Sequence, residues 1–224
     1  MSTQWRQFLT ALRFCTQLPA AALGGAEPAF SGPAVRYLSV AGAVVGAAAG
    51  LVYWLGTQFW PSSIAVVLSM LATAVMARRT GGDASGLPLF VFGVLLKYNA
   101  LMALSAASLP FAVPANTALG LIMICGHAAG CALIAPLIPS PAETSPAPPS
   151  MADVTIALAV GIAPAALLGI PGLIGVASAI VARVAQGAWL KCTRSTVAGA
   201  DLYAAQLLSE VCFYLGALAS WAYA

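Results

Sequence analysis

The sequence predicts an all-α membrane protein, a polytopic bundle of about six or seven transmembrane helices with an amphipathic helix at its N-terminus. Hydrophobic residues make up 61% of the 224-residue chain and charged residues only 7%, whereas soluble domains contain roughly 45–50% apolar residues. The apolar residues fall in successive stretches close to the roughly 20 residues that a helix needs to cross a bilayer. The charges are concentrated in a few segments between these stretches.

The N-terminal residues 4–18 are predicted to form the amphipathic helix. Apolar side chains recur there at helical spacing, with Arg6, Thr10 and Arg13 on the opposite face. Such a helix lies in the membrane interface with its arginines toward the lipid headgroups. Because Arg13 interrupts the apolar run, a cleaved signal peptide is not expected.

Seven apolar stretches follow and are predicted to span the bilayer. They cover residues 38–56, 62–77, 87–109, 116–138, 153–170, 172–190 and 203–222. Residues 1–224 therefore form a single membrane domain, in which 1–37 is the N-terminal helix and loop and 38–222 is the transmembrane bundle. The proline-rich segment 139–152 is predicted to be a cytoplasmic loop, since prolines prevent a continuous helix.

The distribution of basic residues predicts the orientation of the bundle. Seven spans place the segments 1–37, 78–86, 139–152 and 191–202 on one side of the membrane, and seven of the nine basic residues lie in them. Cytoplasmic loops carry the excess of lysine and arginine in membrane proteins. The N-terminus and this face of the bundle are therefore predicted to be cytoplasmic.

Charge and cysteine content exclude other classes. The net charge is only +3 and no basic cluster is interleaved with aromatic residues, so nucleic acid is not an expected partner. The five cysteines contain no CxxC pair and are scattered through apolar segments, where they are expected to pack as small hydrophobic residues.

The first predicted span contains a stripe of small residues at Gly42, Gly46 and Gly50. This spacing allows a second helix to approach closely. Packing within the same bundle is favoured over a dimer interface, and the sequence leaves the oligomeric state open.

Four ionisable residues lie inside the predicted spans: Lys97, His127, Arg183 and Glu210. Charges in the bilayer are costly and usually paired, so they are candidates for functional residues. Arg183 is predicted to pair with Glu210, either as a structural ion pair or as part of a site. His127 is expected to make a hydrogen bond between helices.

The last span carries a polar face. Tyr203, Gln206, Glu210 and Tyr214 are separated by intervals that place them on one side of a helix. They are predicted to form a polar stripe that runs inward from the cytoplasmic end.

Two cytoplasmic loops contain residue types that suit phosphate chemistry. The segment 78–86 combines Arg78, Arg79 and Asp83 with three glycines, and the loop before the last span contains Arg194 and Asp201. Arginines bind phosphate groups well, and carboxylates are magnesium ligands.

The two ends of the chain resemble the cobalamin synthase family, also called adenosylcobinamide-GDP ribazoletransferases. The resemblance is carried by FLTALRFCTQLP at Phe8–Pro19, by the basic residue before the glycine-rich stretch Arg36–Gly50, and by Ser195–Glu210, which is similar to the family's closing loop and helix. Ala204–Gly216 continues this similarity, and FGVLLKY at Phe92–Tyr98 is a fainter match.

The resemblance implies an Mg²⁺-dependent transferase of the bacterial inner membrane that acts in cobalamin biosynthesis. In that reaction the hydroxyl of α-ribazole, or of its phosphate, attacks adenosylcobinamide-GDP and releases GMP. It implies Asp201 and Glu210 as catalytic residues, and Asp83 and Asp201 as magnesium ligands. Arg78, Arg79 and Arg194 would bind the substrate phosphates. The lipid bilayer and other cobalamin-assembly enzymes are the further partners that it suggests.

The chain also departs from the family pattern. The family carries an acidic loop after its second span, and here residues 78–86 lead directly to the third span. This difference leaves open a catalytically impaired paralogue that serves as a membrane scaffold or corrinoid-binding protein. The intramembrane charges leave open a small transporter as a further alternative.

Overall fold

The fold is known from a computed structural model, which describes residues 2–17, 30, 32–77, 87–107, 114–138, 149–193 and 199–221. Within these ranges the chain forms α-helices and short 3-10 segments, and no strand longer than an isolated bridge between Thr16 and Ala77. The α-helices are α1 (Thr3–Cys15), α2 (Leu38–Gly56), α3 (Ser62–Met76), α4 (Leu87–Ala106), α5 (Ala115–Leu133), α6 (Met151–Ile162), α7 (Gly169–Thr193) and α8 (Gly199–Trp221). The predicted all-α fold is confirmed.

The helices have the length and composition of a membrane bundle. Four helical segments are long and apolar enough to cross a bilayer, namely Gly32–Gly56, Ala115–Leu137, Met151–Thr193 and Gly199–Trp221. Two further apolar helical stretches, Ser62–Met76 and Phe90–Ala106, are shorter. Many large apolar side chains on the outside of the bundle are exposed, as expected for helices that face lipid.

The segment Met151–Thr193 is divided by a sharp reversal. The α-helix ends next to Pro164, a residue that lacks an amide hydrogen, and continues as a 3-10 segment, Ala163–Leu168. Gly169 follows with a positive φ of 64°, which suits glycine. Gly172 then lies against the carbonyl oxygen of Ala165, so the chain has turned back on itself. The two spans predicted here therefore correspond to two antiparallel segments that meet at this turn.

The amphipathic helix is present and packs on the bundle. In α1, Ser2 caps the N-terminus by accepting a hydrogen bond from the Trp5 amide, and Leu9 and Leu12 are buried. Thr10, predicted on the polar face, is also buried, since its hydroxyl donates to the Arg6 carbonyl and needs no water.

The end of α1 is tied to the end of α3. The backbone amide of Gln17 donates to the carbonyl of Met76 at 2.8 Å, and its side-chain amide donates to the carbonyl of Ala77 at 2.7 Å. Two helices that are distant in sequence therefore end side by side.

The glycine stripe of α2 packs inside the bundle, against α5. A methyl group on Gly46 would lie 2.7 Å from the Cα atom of Ile124, and one on Gly50 would lie 3.0 Å from the Cα atom of Gly120. Gly42 lies in the same way against Cys131. The interpretation that this stripe mediates packing within one chain is confirmed.

The start of α6 is fixed to the start of α2. Ser150 and Asp153 form a capping box, in which each side chain binds the backbone amide of the other residue. The Asp153 carboxylate also accepts a hydrogen bond from Arg36, with 2.7 Å between Nη2 and Oδ1. This ion pair links two segments of the predicted cytoplasmic side, the residues just before α2 and the first turn of α6.

The contact between α2 and α5 predicts a sharp difference between two neighbouring substitutions. Gly46→Val should destabilise the protein by about 1–3 kcal/mol, because the added groups meet backbone that cannot move aside. Ala47 is exposed on the same helix, so Ala47→Val serves as the matched control and should have little effect. Thermal unfolding of the purified protein in detergent measures both. Equal effects of the two substitutions would contradict the packing described here.

Candidate functional site

A cavity of about 390 Å³ lies between α3, α4 and α8. The end of α1 contributes Cys15 at one edge, and α2 and α5 contribute one residue each. The α3 wall consists of Val67, Met70, Leu71, Thr73, Ala74 and Ala77. The α4 wall consists of Phe90, Val94, Leu95, Lys97 and Tyr98. The α8 wall consists of Tyr203, Gln206, Leu207 and Glu210.

The cavity has a mouth near the helix ends and a polar floor deeper in the bundle. We call the end of the cavity at the helix ends the mouth; it is lined by Ala77 at the end of α3, Phe90 and Tyr203 near the starts of α4 and α8, and Cys15 at the end of α1. The rings of Phe90 and Tyr203 lie 6.0 Å apart, centroid to centroid. The mouth therefore lies at the end of the bundle where the segments 78–86 and 194–198 leave the described helices.

Lys97, His127 and Glu210 line the floor, and together with Tyr214 they form a cluster in which three donors surround one carboxylate oxygen. Oε1 of Glu210 lies 2.7 Å from Nζ of Lys97, 3.0 Å from Nδ1 of His127 and 2.7 Å from the hydroxyl oxygen of Tyr214. All four side chains are almost completely buried. We call this group the Glu210 cluster.

Three helices bring the cluster together. Lys97 comes from α4, His127 from α5, and Glu210 and Tyr214 from successive turns of α8. Two glycines of α5 make the approach possible, because Gly126 lies directly against the Tyr214 ring and Gly130 lies close to Glu210 and Gln206. A buried carboxylate needs an opposite charge and further donors, and the cluster supplies both.

The hydrogen-bond partners of His127 assign its tautomer. Nδ1 lies 3.0 Å from the carbonyl oxygen of Met123 and 3.0 Å from Oε1 of Glu210. Both oxygens are acceptors, so Nδ1 carries a hydrogen, and in the neutral ring Nε2 then has a free lone pair. The hydrogen bonds described for His127 use Nδ1, and the residue lines the cavity. In this tautomer Nε2 is therefore the acceptor atom of a ring that borders the cavity.

The polar stripe predicted on the last span is confirmed. Tyr203, Gln206 and Glu210 all line the cavity, and Tyr214 continues the stripe by donating its hydroxyl hydrogen to Glu210. The prediction that His127 makes a hydrogen bond between helices is also confirmed, since its partner Glu210 belongs to α8.

The predicted pair of Arg183 and Glu210 is wrong. Nε of Arg183 donates instead to the carbonyl oxygen of Leu133 at 2.8 Å. Leu133 is the last residue of α5, and the final carbonyls of a helix lack partners within the helix and attract cations. Glu210 is neutralised by Lys97, which comes from a helix much farther away in the sequence.

Lys97 is the residue whose role the sequence analysis missed. The sequence did indicate that Glu210 needed a cation inside the bilayer, and only Lys97 and Arg183 were available in the spans. Choosing between them required knowing which face of each helix meets α8. Nearness in sequence favoured Arg183, and that criterion carries no information about faces.

The predicted loop residues are only partly covered by the described ranges. Arg78, Arg79, Asp83 and Arg194 lie outside them. Asp201 lies within them and is buried in the first turn of α8, two residues before Tyr203 at the mouth of the cavity. In the described part of the chain, no three His, Cys, Asp or Glu side chains are grouped so as to hold a metal ion.

Comparison with known proteins supports the resemblance in the N-terminal part of the chain. Residues 7–83 match the family described as cobalamin-5-phosphate synthase. An adenosylcobinamide-GDP ribazoletransferase of Leptothrix cholodnii is 44% identical over 77 residues, which are 34% of this chain and 28% of that protein. One of Shewanella amazonensis is 39% identical over 85 residues, 37% of this chain and 32% of that protein. No solved structure matches the chain.

The chain thus aligns with about a third of the length of these curated relatives. The matched residues include most of α1 and all of α2 and α3, and they end at Asp83, within the segment where the chain departs from the family's acidic loop. The resemblance to the cobalamin synthase family is confirmed for this part.

The Glu210 cluster predicts energetic coupling between Lys97 and Glu210. Lys97→Met and Glu210→Gln should each cost about 3–5 kcal/mol, because each leaves the other group buried without its partner. The double variant should lose clearly less than the sum of the two. Unfolding of the four proteins in lipid nanodiscs measures the coupling.

Arg183→Gln provides the matched control for this cycle. Its loss should add to that of Glu210→Gln without coupling, because Arg183 binds Leu133 and not the cluster. Coupling of Glu210 to Arg183, with additivity between Glu210 and Lys97, would contradict the observed pairing.

Proposed function

We propose that this chain, whose residues 7–83 match the cobalamin synthase family, is a membrane-bound adenosylcobinamide-GDP ribazoletransferase. The hydroxyl oxygen of α-ribazole, or of its phosphate, attacks the phosphorus atom next to the cobinamide in the pyrophosphate. A new phosphorus–oxygen bond forms, the bond to the second phosphate breaks, and GMP leaves. The hydroxyl proton passes to a base or to water.

One observation carries the proposal: the family match and the cavity coincide. Cys15, Val45 and the whole α3 wall of the cavity lie within residues 7–83. The opposite wall is α8, whose sequence Ala204–Gly216 resembles the family's closing helix. A cleft formed by the parts that share the family pattern is the natural position for the family's chemistry.

The residues around the mouth are proposed to act on the phosphates. Arg78, Arg79 and Arg194 would bind the substrate phosphates, since arginine pairs well with phosphate oxygens. They follow or precede helix ends at the mouth, because Ala77 lines the cavity and α8 starts at Gly199. Glu210 is proposed as a positioning residue at the floor, where it holds Lys97 and His127 in place.

Magnesium is part of the proposal, and the described residues do not provide a complete site for it. Glu210 is already bound by three donors, and Asp153 is paired with Arg36. Asp201, which has an interaction of its own within the chain, lies two residues before Tyr203 at the mouth, and we propose that it binds Mg²⁺ together with Asp83. Bound Mg²⁺ would offset the negative charge of the pyrophosphate.

An impaired paralogue is the second candidate. It is favoured by the end of the family match at Asp83 and by the lack of a three-ligand group in the described ranges. Such a protein would keep the bundle and the cavity, and would bind substrate without turnover.

The orientation is proposed from charge. The mouth is lined by Cys15, Ala77 and Tyr203, which lie within or directly beside the basic segments 1–37, 78–86 and 191–202 in the sequence, and the positive-inside rule assigns such segments to the cytoplasm. We therefore place the chain in the bacterial inner membrane with its cavity open toward the cytoplasmic side.

Activity tests the proposed function directly. The protein purified into lipid should convert adenosylcobinamide-GDP and α-ribazole to the cobalamin in the presence of Mg²⁺. Asp83→Asn and Asp201→Asn should each reduce turnover by at least about tenfold, as loss of a metal-supporting group does. Glu143→Gln, in the proline-rich segment, is the control and should retain activity. Robust turnover in both aspartate variants would place the site elsewhere, and substrate binding without turnover in the natural sequence would favour the impaired paralogue.

Cysteine labelling tests the orientation. In a cysteine-free background, Gln58→Cys in the turn between α2 and α3 should react with an impermeant thiol reagent on spheroplasts. Ser145→Cys in the proline-rich segment should react only after the membrane is opened. The opposite pattern would invert the proposed topology.

A further inference from the structure

We propose that the cavity is the subsite for the aromatic base of the acceptor nucleoside, which enters base-first with its ribose toward the mouth. The ring nitrogen of the base that carries no substituent would accept a hydrogen bond from Lys97. This inference rests on the proposed function for the identity of the nucleoside. The inference adds which of the two substrates occupies the cavity and which end of that substrate lies at the floor.

The size of the cavity selects the smaller of the two substrates. Its volume of about 390 Å³ lies at the lower end of small-molecule sites, which enclose roughly 300–1,000 Å³. A benzimidazole with part of its ribose fits such a space. The corrinoid with its attached nucleotide is several times larger and must stay outside.

The walls suit a flat apolar ring. Val67 and Leu71 of α3 line the cavity together with Val94 and Leu95 of α4, and Val67, Leu71 and Leu95 are also about half exposed at the outer surface of the bundle. The base of α-ribazole is a dimethylbenzimidazole, whose benzene ring and two methyl groups carry no hydrogen-bonding atoms. Burying these groups against aliphatic side chains is favourable because it removes apolar surface from water.

The floor supplies one donor that the base needs. The ammonium group of Lys97 has three hydrogens, and Glu210 is its ion-pair partner in the structure, which leaves hydrogens for a ligand. In the nucleoside the ribose occupies N1, so N3 is an acceptor without a hydrogen. Lys97 lines the cavity and is the cation within reach of that nitrogen among the described lining residues.

The same arrangement sets the direction of the ribose. N1 and N3 are separated by one carbon of the five-membered ring, and the bond from N1 to the ribose and the lone pair of N3 point outward in widely divergent directions, so a base with N3 at the floor directs its ribose away from the floor. The ribose then points toward the mouth between Phe90 and Tyr203. The reacting hydroxyl would be presented at the end of the bundle where Ala77 precedes the proposed phosphate-binding arginines, and the large second substrate could meet it there.

Binding measurements on the full chain in nanodiscs test this inference without requiring turnover. Free 5,6-dimethylbenzimidazole should bind and compete with α-ribazole, while ribose 5-phosphate should not compete. Ala74→Trp and Val94→Trp, which fill the cavity, should weaken both ligands by at least tenfold. Ala103→Trp is the matched control, since Ala103 is exposed on α4 and does not line the cavity. Its affinities should be unchanged.

A second comparison isolates the contact with Lys97. 5,6-Dimethylindole has the same shape and carries a carbon in place of N3, so it should bind the natural protein about tenfold more weakly than dimethylbenzimidazole, the effect of one lost hydrogen bond to a charged group. In the double variant Lys97→Met with Glu210→Gln, which leaves no unpaired charge, the two ligands should bind equally. An unchanged preference in that variant would overturn the contact.

The outcomes separate this inference from the proposed function. Turnover together with unchanged α-ribazole affinity in both tryptophan variants would overturn the cavity assignment and leave the transferase function standing. Base binding that the tryptophan variants abolish, without turnover, would support the subsite and reject the activity. Absence of base binding in the natural protein would overturn the inference whatever the turnover.

Discussion

The carboxylate of Glu210 is the constraint around which the described bundle is organised. A charge at this depth is costly unless it is paired and hydrogen-bonded. Lys97, His127 and Tyr214 meet that need at one oxygen atom. Because the donors come from α4, α5 and α8, satisfying the carboxylate fixes the relative positions of three helices. The glycines at 126 and 130 serve the same end, since larger residues would push α5 away from α8.

The cluster also explains why a cavity in an apolar bundle can recognise a polar ligand. The residues that bind Glu210 retain further hydrogen-bonding capacity, because Lys97 has more hydrogens than this ion pair needs and Nε2 of His127 has a lone pair in the assigned tautomer. An ion pair that stabilises the fold thus leaves a donor and an acceptor at the floor of a cleft with apolar walls. Structural and functional roles, which the sequence left equally open, are compatible in one group of residues.

Features that depend on local sequence pattern were predicted correctly, whereas the contact that depends on which helix faces meet was not. Apolar length predicted where the helices lie, and the break between residues 170 and 172 was found within two residues of Gly169, because proline and glycine interrupt helices locally. The stripe on α8 followed from helical periodicity alone. The partner of Glu210 did not, because the faces that α4 and α7 turn toward α8 depend on packing. The proposed phosphate-binding and metal residues rest on the resemblance, since most of them lie outside the described ranges.

The chain has one histidine, which makes the central cluster directly observable. Nitrogen-15 NMR of histidine-labelled protein in nanodiscs reports one pair of ring nitrogens, and therefore the tautomer of His127 without any assignment step. The structure predicts a hydrogen fixed on Nδ1 and a bare Nε2, with a changed Nδ1 signal in Glu210→Gln and an unchanged one in Arg183→Gln. A hydrogen on Nε2, or an Nδ1 signal that responds to Arg183 and not to Glu210, would contradict the cluster as described.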